Sequence, residues 1–449
     1  MKYVFLGSFA FLSLLSGIAW FIQPEHQRHD RVPLIWVSDP NPARREQVSV
    51  FNDLHSQYDL KLDPNNSGMA KVIVQSLAGV GPDIFDCYGG FDLSGYVKAG
   101  VAWDVTDELA KGEIHPLQDC WPGSFSVFVL DGRVYGMPTN VSVNAIWYNK
   151  DIFDACGVPY PKGECTWEQF IPLAQKLTVK DENGRPKHFG LLADWWGWKQ
   201  FVYQYGGRVY SEDGTRCVLD SPEAIAGMQL FHDLMYKYRV MPSPSDEQNM
   251  ATTGGWGSGT ITLFSGGRGA MAVGGRWWLC TLRDNKKLRL GVMPAPFGPK
   301  KVYWAYGRAS LVNKNSPHRR EALDFLRYLA GREYNDLINH QADALAPLKK
   351  YCYTPEYLHD PEFPNEDYND VWRDIMRYGV PEEISPFVDG HAAGRLIDKQ
   401  LDLVRSDEES VEKAMRNAAR QVNGEIQKTL ARDPQLRERY ERTVGGERP

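Results

Sequence analysis

Residues 32–65 read VPLIWVSDPNPARREQVSVFNDLHSQYDLKLDPN. The run VPLIWV is short and apolar and stops at Ser38-Asp39-Pro40, which reads as a strand. Val48, Phe51 and Leu54 then recur at helical spacing, and DLKLDPN follows as a second extended segment. Outward from there the alternation continues through GMAKVIVQSLAGV (68–80), PDIFDCYG (82–89) and DLSGYVKAG (92–100). Repeated β-α-β units with short connections predict a mainly parallel sheet covered on both faces by helices, hence an α/β fold. Ligands in such sheets sit beyond the carboxyl ends of the strands. The turns at Ser38-Asp39, Asn65-Asn66-Ser67-Gly68 and Asp86-Cys87-Tyr88-Gly89 are therefore the first places to look for a site.

A second block opens with VYGMPTNVSVNAIWYNKDIF (134–153), extended around Val141, Val143 and Ala145. Helix starts then recur. Thr166-Trp167-Glu168-Gln169 is a capping box leading to Phe170, Leu173, Ala174 and Leu177, with Pro172 inside its first turns. Ser221-Pro222 supplies an N-cap and a first-position proline, and Ser316-Pro317 repeats the device before Ala322, Phe325, Leu326 and Leu329, with Gly331 as the stop. Ser406-Asp407-Glu408-Glu409 reads as a second capping box, before Val411, Ala414, Met415, Ala418 and Val422.

The chain's 449 residues are 43% hydrophobic and 24% charged, room for two or three domains. A net charge of -6 without a long basic run lacks the footprint that phosphate binding requires, so nucleic acid is set aside. Aromatic content stands out at 14 Trp, 22 Tyr and 19 Phe. Lys2 precedes about twenty apolar or small residues, Tyr3 to Ile22, long enough to cross a bilayer. Export is expected, with residues 1–30 as a cleaved signal peptide or a retained anchor plus linker; Gly17-Ile18-Ala19 fits cleavage and Trp20-Phe21-Ile22 fits retention. Seven cysteines without C-x-x-C spacing indicate no zinc or redox motif; Cys156 and Cys165 either close a small disulfide or stay free.

Enzymatic short motifs are absent: the glycine-rich stretch 254–275 fails the dinucleotide pattern, and there is no phosphate loop, zinc-protease helix or nucleophile elbow. Paired carboxylates of a glycosidase follow no spacing rule, so a glycoside-active enzyme stays open as an alternative.

Several segments together resemble the extracellular solute-binding proteins of ABC importers, in the sugar-binding family that includes maltose-binding protein. They are GMAKVIVQSLAGVGPDIFDCYG, GRVYGMPTNVSVNAIWYNKDIFDACGV with Tyr148-Asn149-Lys150-Asp151 at its core, FSGGRGAMAVGGRWWL, YGRASLVNKNSPHRREALDFLRYLAG and SDEESVEKAMRNAARQVNGEI. The resemblance implies two discontinuous α/β lobes joined by crossing strands, with ligand held in the cleft and enclosed by hinge closure. The first lobe would comprise 31–142 and 298–345, the second 143–297 and 346–449. It implies a monomer that binds a mono- or oligosaccharide, delivers it to the membrane permease subunits of an importer, associates with the membrane through its N-terminal segment, and needs no metal or cofactor. A polyamine- or metal-binding relative and a sensory ectodomain of the same fold are the other readings.

A sugar presents hydroxyls and faces of C–H groups, so its site needs aromatic platforms rimmed by Asp, Asn or Arg. On the first lobe Asp39, Asp86 and Tyr88 lie at strand ends, and Asn140 lies in the crossing segment. Asp39 before Pro40 also fits a helix cap, and Asp86 a backbone partner. Tyr148, Trp277 and its neighbour Arg276 follow from the resemblance, and strand alternation turns Trp278 inward. Trp304 and Tyr306 precede Gly307, where the chain re-enters the first lobe. In LLADWWGWKQFVYQYGGRVY (191–210), LLA reads as strand and FVYQYGG as helix, which leaves Trp195, Trp196 and Trp198 at a turn, at least one of them facing the cleft.

Overall fold

In a computed structural model, residues 31–64, 68–250 and 259–445 are described. The apolar N-terminal segment and the Asn65-Asn66-Ser67 turn lie outside them. Ten strands make two five-stranded sheets: β1 Val32–Val37, β2 Tyr58–Asp63, β3 Ile84–Cys87, β4 Gly136–Ser142, β5 Ala145–Asn149, β6 Val179–Lys180, β7 Pro186–Leu192, β8 Gly269–Gly274, β9 Leu290–Met293 and β10 Tyr306–Val312. The first sheet has the order β2-β1-β3-β10-β4 and the second β9-β5-β8-β7-β6.

The expectation of mainly parallel sheets is corrected. β1 pairs in parallel with β2 and β3, but β10 returns antiparallel to both β3 and β4. In the second sheet only β7 and β8 are parallel. Local patterning announces a strand but not its partner, and a strand arriving from distant sequence is free to run either way.

Each sheet has its own core. One runs from Leu34 to Met137 and resumes from Ala309 to Leu348. The other takes Val141 to Ala305 and Ala342 to Leu430, together with Trp121. The chain thus changes core within β4, between Met137 and Val141, within β10, between Tyr306 and Ala309, and near residue 345.

Helix Ala43–Leu54 packs on the first sheet through Phe51 and Val48 as expected, but Leu54 is exposed and Arg44 and Gln47 are buried beside them. Polar residues turn inward because buried carboxylates receive them there. The capping box at Thr166 forms, with Gln169 as its reciprocal partner, and helix Trp167–Lys176 continues through Pro172. Ser221 caps helix Pro222–Tyr236. Two starts are corrected. Helix Ala322–Ala330 begins beyond Ser316-Pro317, where the Ser316 hydroxyl donates to Asp83 (2.5 Å) and accepts from the His318 backbone N–H (2.9 Å). Ser406 closes helix Gly390–Arg405, and Ser410 caps Val411–Arg432. All seven cysteines are free.

Candidate functional site

Tyr306 and Arg308 stand two residues apart on β10, so their side chains leave the same face of the strand. Across the antiparallel ladder they oppose Ser142 and Asn140 of β4. Gly307 lies between them because a Cβ there would meet the Asn140 carbonyl oxygen at 2.5 Å. One strip of sheet therefore joins a charged group around Arg308 to an aromatic group around Tyr306.

The charged group gathers at the carboxyl ends of β1 and β3. Arg308, 2% exposed, donates from Nη1 to Ser38 Oγ (2.7 Å) and Asp86 Oδ2 (3.0 Å), and from Nε to Thr139 Oγ1 (2.9 Å). Arg44 donates from Nε to Asp39 Oδ1 (3.0 Å) and from Nη1 to Asp343. Three carboxylates, Asp39, Asp86 and Asp343, thus meet two guanidiniums in a buried network. Asp39 is its outermost member, 23% exposed at the side chain. Burial pushes its carboxyl up, but the Arg308 and Arg44 charges and the Arg44 hydrogen bond outweigh that and hold it at about 2. Tyr88 stands over it, 37% exposed, donating its hydroxyl to Asp39 Oδ2 (3.3 Å).

Trp196 dominates the aromatic group. It is 42% exposed and stands edge-on to Trp304 (5.4 Å between centroids) and Tyr306 (5.2 Å). Tyr306 donates its hydroxyl to Asn144 Oδ1 (2.7 Å) and accepts the Trp277 indole N–H (3.1 Å). Burial raises the Tyr306 hydroxyl to about 12, so it stays a neutral donor. Trp304 is buried, with Lys199 Nζ 4.9 Å from its ring centroid and Lys199 paired to Glu382 at 2.5 Å. Asn140 is half-buried on the same face of the β4–β10 strip.

The other expected residues are held by protein partners. Asp86 accepts from Trp36 Nε1 (2.8 Å), Ser38, Ser310 and Arg308, two donors on each oxygen, which fills its lone pairs. Arg276 is fully committed, to Asn369 Oδ1 (2.8 Å) and the carbonyls of Ala344 (3.0 Å) and Asn339 (2.9 Å). Tyr148 is buried between Phe153 and Tyr160. Trp198 is buried in the second core, and Trp195 lies half-buried, stacked on Phe231 at 4.7 Å. Trp278 does pack inward, but on a 3₁₀ turn at Arg276–Trp278 and not by strand alternation.

Arg308, Arg44, Asn144 and Asp194 were not among the expected residues. Period-two alternation from Tyr306 points to Arg308. Asp194 stands where β7 ends and the tryptophan turn begins, the position that strand-end reasoning favours. Arg44 and Asn144 carry no local signal.

Residues 39–336 match the model of the bacterial extracellular solute-binding protein family. A binding protein of Brucella abortus is 25% identical over 272 residues, 56% of this chain and 61% of the relative. The arabinooligosaccharide-binding protein of Halalkalibacterium halodurans is 26% identical over 210 residues, 45% of each chain. The chain thus spans less than two thirds of the length of these relatives. Among solved structures, an ABC substrate-binding protein of Listeria monocytogenes in complex with cycloalternan aligns over 90% of this chain and 100% of its own, with a TM-score of 0.74 and 23% identity. The maltose/maltodextrin-binding domain of Bdellovibrio bacteriovorus bound to maltotriose aligns over 88% and 100%, with a TM-score of 0.70 and 17% identity. These likenesses establish a two-lobed α/β binding-protein fold.

Proposed function

The chain belongs to the bacterial extracellular solute-binding protein family, and from that premise we propose that it captures a carbohydrate outside the cytoplasm and delivers it to the membrane subunits of an ABC importer. Its chemistry is binding, with no bond made or broken. The carrying observation is the strip on β10 that links an exposed indole, Trp196, to the partly exposed pair of Asp39 and Tyr88: a platform for a C–H face and a polar rim for hydroxyls. The names of several relatives point the same way, arabinooligosaccharide-binding and melibiose/raffinose/stachyose-binding among them.

The two lobes are 31–142 with 298–345 and 143–297 with 346–449, a division supported by the change of core near 141, 305 and 345. The protein acts as a monomer held at the membrane by its N-terminal segment. Tyr88, Asp39 and Asn140 from the first lobe and Trp196, Trp277, Trp304 and Tyr306 at the junction make the ligand surface.

A panel of mono- and oligosaccharides, followed by tryptophan fluorescence and melting temperature, tests the reading. At least one sugar should shift both, and Trp196→Ala should weaken that sugar about tenfold, near 1.4 kcal/mol, while moving the ligand-free melting point little. No response to any sugar rejects the carbohydrate reading, and product release from labelled oligosaccharides rejects a purely binding role.

A further inference from the structure

Beside Trp196 a small cavity of about 20 Å³ is bounded by Asn144, Asp194, Trp196, Gly197, Gln200 and Val273, among others. That volume holds one group the size of a water molecule. An ammonium has the same size. Asp194 is the only charged residue among the described residues that line the cavity.

Its carboxylate is short of cations. The hydroxyl of Thr260 donates to it, as does the Trp196 side chain. The nearby guanidinium of Arg405 is bonded to Glu247. A carboxylate offers about four lone-pair sites, and the side chains of the described residues fill about two of them. Burial, the largest influence, pushes the Asp194 carboxyl up, against the two hydrogen bonds and the more distant Arg405 charge. A cation placed beside it would relieve that penalty. The neighbouring amide oxygens are engaged: Gln200 accepts from the Trp304 backbone N–H while donating to the Val302 carbonyl (2.8 Å), and Asn144 Oδ1 accepts from Tyr306.

We infer that this cavity is a subsite for a positively charged group, the ammonium of an amino sugar, with Asp194 as its counter-ion. The inference rests on the carbohydrate reading for the body of the ligand. Cations around the site do not oppose it: Arg44 and Arg308 are outnumbered by the three carboxylates they serve, and Lys199 is paired with Glu382.

Calorimetric titration of the full chain at pH 7 tests it with glucosamine and its β-1,4-linked disaccharide, the N-acetylated forms of both, glucose, cellobiose, glucuronate and putrescine. The free amines should bind roughly tenfold tighter than their N-acetylated and neutral counterparts. Asp194→Asn should abolish that preference while retaining neutral-sugar binding. Equal or tighter binding of neutral or acidic sugars by the unmodified protein overturns the inference and leaves the carbohydrate reading standing. Binding of putrescine through Asp194 with no sugar bound keeps a cation subsite but overturns the carbohydrate reading and the amino-sugar assignment. Binding of none of the panel overturns both. The comparison of amine with N-acetyl in the unmodified protein carries the test even where the variant is unstable.

Discussion

Arg308 is buried with its charge, and it stays there because Asp86, Ser38 and Thr139 surround it with acceptors. Removing a partner from such a group exposes the full cost of burying the other. Asp86→Ala should therefore destabilise the protein by about 3–5 kcal/mol in urea unfolding. A loss near 0.5 kcal/mol would mean that water reaches the guanidinium. Asp39 makes a second prediction. Its carboxyl is held at about 2 against an ordinary 3.8, so it stabilises the folded state above its unfolded value. That contribution declines as pH falls from about 4 towards 2. Thermal melts across that range should fall less steeply for Asp39→Asn than for the unmodified protein, and identical slopes would reject the charge assignment. At this scale residue type was legible and orientation was not. Trp196 and Trp198 lie two positions apart in one turn, yet the first is exposed and the second buried.

The Tyr148-Asn149-Lys150-Asp151 segment shows an element built by one side chain. Asn149 ends β5, and its Oδ1 accepts from the backbone N–H groups of Asp151 (2.9 Å) and Ile152 (3.3 Å), capping helix Lys150–Cys156. Gly157 closes that helix with φ of +64°, a conformation that side chains resist. Asn149→Ala should cost about 1 kcal/mol of stability and leave sugar affinity within twofold, because Asn149 stands at the opposite end of β5 from Asn144, the partner of Tyr306. A large loss of affinity at full stability would place Asn149 in the site instead. Caps of this kind were legible at Thr166 and Ser221, where serine or threonine has no stronger competitor. At Ser316 the hydroxyl accepts from the His318 backbone N–H as a cap does and also donates to Asp83, yet the helix starts only at Ala322. Ser406 was drawn into the end of the preceding helix. A hydroxyl takes the best available acceptor, and distant acceptors leave no local trace.

Across the whole molecule, the two cores approach each other where helices Gly90–Lys98 and Gly390–Arg405 begin. A Cβ on Gly90 would meet Ile384 Cγ2 at 2.6 Å, and one on Gly390 would meet the Phe91 ring at 1.8 Å. Asp92 and His391 join the same helices at 2.9 Å. These glycines permit a close seam. Ligand should reduce the radius of gyration in X-ray scattering, as hinge closure requires. Gly390→Val should hold the seam open, weaken ligand roughly tenfold or more, and remove the contraction. Contraction of the variant to the same radius would show that the seam plays no part in closure.

By itself the sequence determined the elements and the class of fold, because apolar spacing, caps and turn residues act over a few positions and leave their signature there. It also singled out strand ends and the surplus aromatics as the places to look for a site. Only the tertiary structure decided that β10 runs antiparallel, that Asp86 and Arg276 are spent on protein partners, and that Trp196 is the exposed indole of its turn. Those outcomes depend on residues hundreds of positions apart competing for the same hydrogen bonds and the same buried space, and such competition is resolved only when the chain is folded.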